Sequence, residues 1–234
     1  KVMALAGEGV RSLNLGEIWH FFEEELRYPI DLIEASEIST VALESYNVIV
    51  LTEGYYSIGE STMEKINDWV SAGGRLVAIG SAINKLSGKD GFEIESKGTP
   101  EPDTSEKEPP VHRPEPYAGS DRRSMSDDIP GSIFQTTLDT THPLCFGLGE
   151  TYWTLKSTTS NYQWLEEGGN AIYLDDSPRY YGFVGYRALE KTKNTLIAGQ
   201  EQIGGGSVVY FVDNPMFRSF WNSGKVLFSN ALFF

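Results

Sequence analysis

Ser81 closes the run Leu76-Val77-Ala78-Ile79-Gly80-Ser81-Ala82. An apolar strand that ends small, polar, small is how a nucleophile elbow is built. The small neighbours let the backbone turn sharply and expose the central side chain at the carboxyl edge of a sheet. A serine needs a base to take its proton, and the base needs an acid to orient it. The chain has three histidines, His20, His112 and His142. His20 falls within a helical run, His112 in a Pro- and charge-rich stretch, and His142 in the turn-like Thr141-His142-Pro143-Leu144. None is placed by sequence at a strand's carboxyl end, so Ser81 is a nucleophile candidate whose base is unassigned.

Two carboxylates face the same edge if the strands are parallel. Glu8 lies between Gly7 and Gly9 after the first strand, and Glu53 follows the third in Thr52-Glu53-Gly54. Two acids in one cleft perturb each other and do acid–base work. Capping the helices that start nearby is the favoured alternative role. Gly7-Glu8-Gly9 lacks the third glycine of a dinucleotide fingerprint, and its acid would repel phosphate. His20 and Glu23 have the H-x-x-E spacing of some zinc peptidases, but Phe21 and Phe22 leave them no third ligand and no open position. Cys145 stands among apolar neighbours and reads as a buried, inert thiol. No metal site is expected in this chain. Aromatic residues cluster over 152–186, where they serve either a covered sheet or a ligand surface.

The elements that must position these residues follow from hydrophobic periodicity. Apolar runs at 2–6, 30–33, 48–51 and 76–79 alternate with helical patterns at 15–27 and 57–71. Asn14 and Glu17 have the spacing of a capping box for the first helix. Gly73-Gly74 ends the second. Strands and helices at this spacing imply βαβ units, a mainly parallel sheet and a flavodoxin-like three-layer α/β sandwich. Residues 88–130, rich in Pro, Gly and charge, read as a flexible, exposed insertion into a single domain spanning 1–234. The second half is β-rich, with strands expected near 132–137, 151–155, 171–174, 180–188, 194–201 and 207–212. Gly204-Gly205-Gly206 is the expected hairpin turn, and 217–234 the closing helix.

Composition narrows the partners. The 234 residues carry 33 acidic against 19 basic side chains, a net charge of -14, which argues against nucleic acid or an anionic membrane surface. One cysteine excludes an internal disulfide and any multi-thiolate metal site. No apolar run approaches the roughly 20 residues of a membrane-spanning helix. The chain begins Lys1-Val2-Met3 inside a strand-like run, which is expected of a piece of a longer protein.

Several segments together resemble a known family. They are Gly7-Glu8-Gly9-Val10, Asn14-Leu15-Gly16-Glu17-Ile18-Trp19-His20-Phe21-Phe22, Tyr210-Phe211-Val212-Asp213-Asn214-Pro215-Met216-Phe217-Arg218-Ser219-Phe220-Trp221 and Asn230-Ala231-Leu232-Phe233-Phe234. They resemble the domain that follows the catalytic domain in secreted zinc carboxypeptidase-like proteins of Bacteroidetes-type bacteria. That domain is similar in fold to class I glutamine amidotransferases, and Thr141 to Leu148 looks like a turn found in such domains. The resemblance implies an extracytoplasmic location, zinc in an upstream peptidase domain rather than here, and that domain as the partner. Amidotransferases use an elbow cysteine, where this chain has Ser81, so glutamine hydrolysis is not expected.

Three functions stay open at this level. The leading one is a non-catalytic accessory domain that packs on the peptidase or binds its peptide or cell-wall substrate. The second is a hydrolase with Ser81 as nucleophile and Glu8 or His142 assisting. The third is a small-ligand-binding module at the carboxyl edge of the sheet, near Glu8, Glu53 and Ser81, with His142 a further binding candidate.

Overall fold

The structure, a computed structural model, describes residues 1–98 and 117–234. A run of consecutive apolar residues has no face to give to water, so it becomes a strand covered on both sides. Val2–Ala6 (β1) and Val48–Leu51 (β3) are buried along their whole length. Ile30–Glu34 (β2) and Arg75–Ile79 (β4) complete the first half. The second half adds Ser132–Leu138 (β5), Tyr152–Lys156 (β6), Gly169–Leu174 (β7), Tyr180–Tyr181 (β8), Thr195–Ile203 (β9) and Gly206–Phe211 (β10).

Among the described residues these strands form one mixed sheet in the order β2-β1-β3-β4-β10-β9-β7-β5-β6, with β8 beside β5. The block from β2 to β10 is parallel. From β9 onward every pairing is antiparallel. The β-rich second half is thus an antiparallel extension of the same sheet, with its last strand, β10, turned back into the parallel block by the Gly204-Gly205 hairpin.

Alternation along the strands divides the core in two. Val2, Ala4, Val50, Val77, Ile79 and Phe211 face the helix Ser12–His20 (α1) and the C-terminal helix, through Ile18, Phe22, Leu227 and Phe228. Met3, Leu5, Ile49, Leu51, Ala78 and Val208 face the helix Glu60–Ser71 (α2), through Met63, Ile66, Trp69 and Val70. Each of the larger side chains, Val, Leu, Ile, Met or Phe, removed from water contributes about 1.5–3 kcal/mol. The result is the expected flavodoxin-like, amidotransferase-like α/β sandwich of three layers.

Several expectations need correction. Asn14 does not cap the first helix. The helix starts at Ser12, because Arg11 N–H donates to the Glu53 carbonyl at 2.8 Å and fixes the chain one turn earlier. Beyond His20 the helix widens into a π-helical stretch, Phe21–Leu26. Adjacent Phe21 and Phe22 then both reach Phe228, at centroid distances of 5.9 and 6.5 Å, while Trp19 turns outward. The strand expected over 180–188 stops at Tyr181. Gly182 turns the chain at φ +111°, and Tyr186–Thr192 is a helix (α4, after Ser120–Met125, α3). The closing helix starts late, as Asn222–Phe233 (α5), after a tight turn at Phe217–Ser219 in which Arg218 and Ser219 have positive φ.

The stretch expected to be an exposed insertion is packed at both its ends. Phe92, Ile94 and Ile129 are buried and Arg187 clasps Asp127 at 2.6 Å, while α3, between them in sequence, buries no residue. Its Pro-rich centre, with His112, lies outside the described residues. No helix among the described residues is long and apolar enough to cross a membrane.

Candidate functional site

The carboxyl ends of β3, β4 and β10 open, beside the start of α1, into a cleft of about 310 Å³. Those strands end apolar, at Leu51, Ile79 and Phe211, and the chain turns polar within two residues because it has left the covered sheet. Glu53 follows β3, Ser81 follows β4, and Asp213 and Asn214 follow β10. The loop after β6 contributes Ser157, Thr158 and Ser160, and α1 contributes Arg11, Ser12, Asn14 and Glu17.

Ser81 is in the cleft, and its hydroxyl is engaged by backbone. The Oγ accepts from Gly54 N–H at 3.0 Å and donates to Gly54 O at 3.4 Å. The positive φ of the turn, +53°, belongs to Gly80 rather than to Ser81. A Cβ at Gly80 would overlap Glu53 Oε1, so glycine is what lets the two loops meet.

Glu53 is brought to Ser81's cleft; Glu8 and His142 are not. Glu8 is exposed and does not line the cleft. His142 leads into a short turn at Pro143–Cys145, where its Nδ1 accepts from Leu144 N–H at 3.1 Å and its ring packs against Gly169 on β7. Burial lowers its pKa and favours the neutral ring. His20 is at the end of α1, 3.6 Å from Glu25. Cys145 donates its thiol to Ala171 O at 3.4 Å, and burial pushes its pKa up to about 11.

Burial raises the pKa of Glu53. Arg11, 3.8 Å away, opposes this, and the negative charges of Glu17 and Asp213 add to it. The folded state therefore favours protonated Glu53. That contribution is present at low pH and is lost as pH rises through the raised pKa. Glu53→Gln should accordingly melt at the same or a higher temperature than the native protein at pH 7. The difference should close as pH falls to the ordinary glutamate range; calorimetric melts between pH 3.5 and 7.5 check this.

The residues that organise the cleft were not singled out by sequence. Glu17 is a hub. It accepts from Asn214 Nδ2 at 2.6 Å, from Arg218 N–H at 2.6 Å and from Asn14 Nδ2 at 3.5 Å. Asn14 in turn accepts from Glu53 N–H at 3.0 Å. Asp213 is buried with Lys156, at 3.5 Å, and with Thr154 Oγ1, at 3.0 Å; Lys156 also donates to Ser160 O at 2.8 Å. Burial raises the Asp213 pKa against the pull of Lys156 and Thr154. The available signals were Asn14 and Glu17, three apart, and Asp213-Asn214 directly after a strand. Both pairs were legible as local features, but not as one site.

The cleft therefore has structural carboxylates at its floor and hydroxyls, Glu53 and Arg218 around it, with the Arg218 guanidinium over the Phe217 ring. Among the described residues no hydrogen bond joins Ser81 to a histidine or carboxylate, and no group of three or more metal-ligating side chains is placed to hold an ion. Such a lining presents hydrogen-bond donors and acceptors rather than an apolar wall. The aromatics of 152–186 are divided. Tyr152 and Tyr162 are core, while Trp164, Tyr181, Phe183 and Tyr186 are exposed.

No family model matches the chain, and no curated protein matches it. Solved structures share its fold. A ThuA-like protein from Parabacteroides merdae is 13% identical and superimposes with a TM-score of 0.61, over 99% of this chain and 88% of its own. A glutamine amidotransferase from Thermotoga maritima is 10% identical, with a TM-score of 0.56 over 99% and 95%. A β-galactosidase from Bacillus circulans is 13% identical, with a TM-score of 0.55; there 99% of this chain covers 30% of the enzyme. The chain thus has the fold of ThuA-like and amidotransferase-like domains.

Proposed function

We propose that this chain is a non-catalytic binding domain that holds a small polar ligand in the cleft between Glu53, Arg218 and the hydroxyls of the 157–160 loop. One observation carries the reading. The Ser81 hydroxyl gives its one proton to the Gly54 carbonyl and accepts from the Gly54 amide, and Glu8 and His142, expected to activate it, lie elsewhere. A serine held in this way is a structural clasp between the β3 and β4 loops. It holds open a cleft at the sheet edge where such folds bind ligands.

The same reading extends to an accessory role. We infer that the domain serves a larger extracytoplasmic hydrolase of the zinc carboxypeptidase-like kind, which would carry the zinc and supply the peptidase domain as partner. The motif resemblance supports this. So does the occurrence of the fold as a minor part of the β-galactosidase chain. The coding sequence ahead of Lys1 tests it, since a peptidase domain must precede this one.

The binding reading is tested by asking for chemistry. Incubated with p-nitrophenyl acetate and with aminoacyl p-nitroanilides, the native protein and Ser81→Ala should release nitrophenol and nitroaniline at the same background rate. Turnover that vanishes in Ser81→Ala would establish the hydrolase instead.

A further inference from the structure

The tight turn at Phe217–Ser219 has a consequence beyond the cleft. It starts a line of aromatic residues made of two ring-contact groups, Phe217-Phe220-Trp221 and Trp153-Tyr181, joined through the Trp153 backbone. Phe217 lines the cleft, and its ring meets Phe220 edge-on at 5.9 Å and 83°. Phe220 leads to Trp221 at 6.1 Å. Trp221 Nε1 donates to the Trp153 carbonyl at 2.9 Å, and Trp153 lies against Tyr181 at 5.6 Å with an interplanar angle of 37°. The Arg179 guanidinium lies over Tyr181, 5.3 Å from its centroid. Phe220 is 58% exposed and Tyr181 53% exposed.

We propose that this row and the cleft together form an extended binding site for a neutral oligosaccharide. One sugar would sit in the cleft and the following ones on the rings. The proposal rests on the cleft being a binding site and names the class of its ligand.

Phe220 and Tyr181 are exposed while Phe217, Trp153 and Trp221 are half-buried between them, an apolar surface that gains from being covered. The C–H face of a pyranose is flat and apolar, matching an aromatic face, while its hydroxyls need both donors and acceptors at the edge. The cleft end supplies these in Ser157, Thr158, Glu53 and Arg218. The rings already brace one another, so little side-chain freedom is left to lose on binding. The net charge of -14 and the carboxylates Glu17 and Asp213 at the cleft floor disfavour a uronic acid, while Arg11 and Arg218 in the lining and Arg179 over Tyr181 act the other way, so oligogalacturonate is the comparison that decides the charge of the sugar. A peptide fits less well. Laid as a strand along β6 it would compete with Trp221 for the Trp153 carbonyl.

The test is titration of the whole chain with neutral mono- to tetrasaccharides of glucose, galactose, mannose and N-acetylglucosamine, read by calorimetry and by Trp153 and Trp221 fluorescence. Oligogalacturonate, short peptides and free polar amino acids are the comparison ligands. At least one neutral series should bind more tightly with length. Phe220→Ala, at an exposed position, should weaken the trisaccharide about tenfold and leave the monosaccharide within about twofold. Tyr181→Ala should act on the longer members alone.

A monosaccharide or amino acid that binds with no gain from length and no response to Phe220→Ala overturns this proposal and leaves the cleft reading standing. Peptide binding lost in Phe220→Ala, with no saccharide bound, also overturns it. No binding by any of these ligands overturns both.

Discussion

Lys156→Ala is expected to lower the unfolding free energy by about 3–5 kcal/mol, the scale on which breaking a buried ion pair acts. The Lys156 side chain is fully buried, and it is the cation nearest the equally buried Asp213. Without it the Asp213 carboxylate keeps the Thr154 hydroxyl and nothing to balance its charge. The Ser160 carbonyl loses its donor as well, which loosens the loop that forms one wall of the cleft.

For a chain of this size the loss should appear as a fall in Tm of roughly 6–20 °C. It should shrink as pH falls through the carboxylate range, because protonated Asp213 carries no charge to leave unpaired. Burial already raises the Asp213 pKa in the native protein, so the sign is the same there. The double variant Lys156→Met, Asp213→Leu should recover most of the loss, since two apolar groups leave no buried charge. Thermal melts of the three proteins at pH 7 and pH 4.5 decide the matter. A single variant that melts within a degree or two of the native protein would mean that the pair does not hold β6 to the end of β10.

Glu17→Ala should have a comparable effect for a different reason, and one that reaches the ligand. Glu17 tethers the 214–219 segment through the Asn214 side chain and the Arg218 amide, both at 2.6 Å. Hydrogen bonds to a charged acceptor contribute about 1.5–3 kcal/mol each, so losing the two amounts to about 3–6 kcal/mol. The tethered segment is also strained. Arg218 and Ser219 are non-glycine residues at φ +51° and +56°. Such conformations persist where surrounding contacts enforce them.

With Glu17 gone, the segment that aims Phe217 and Arg218 into the cleft should relax. The Arg218 amide should then lose its protection from hydrogen exchange, while amides in β1 and β3 keep theirs. Glu17→Gln, which retains one acceptor oxygen and brings an NH2 against a donor, should fall between the two. Unchanged exchange at Arg218 in Glu17→Ala would show that packing alone holds the turn. In that case the cleft's shape is independent of its floor.

Much of the fold was written locally. Covered strands are continuous apolar runs, so β1, β3 and β4 were legible to within a residue. Gly73-Gly74 and Gly204-Gly205 marked turns because the backbone there needs conformations other residues avoid. The sheet's division into parallel and antiparallel blocks was partly legible, in the change from alternating helices and strands to strands alone. Segments whose conformation depends on distant partners were misread. The 180–188 stretch has the composition of a strand, yet only Tyr180–Tyr181 is strand and a helix begins at Tyr186. Gly185 packs against the carbonyls of Met125 and Ser126, and the amides of Arg187 and Ala188 donate to Ser126 O.

The site shows the same division. The sequence by itself determined that Glu53 and Ser81 follow strands and must share an edge if those strands run parallel. Order along the chain and the covering of both sheet faces are enough for that. It did not determine their chemistry. Whether Ser81 meets a base, whether Glu17 caps a helix or anchors a loop almost two hundred residues away, and whether Lys156 reaches Asp213 are distances between strands remote in sequence. Hydrogen bonds and ion pairs act over about 3–4 Å, and only the folded chain brings the side chains at the ends of β3, β4, β6 and β10 within that range.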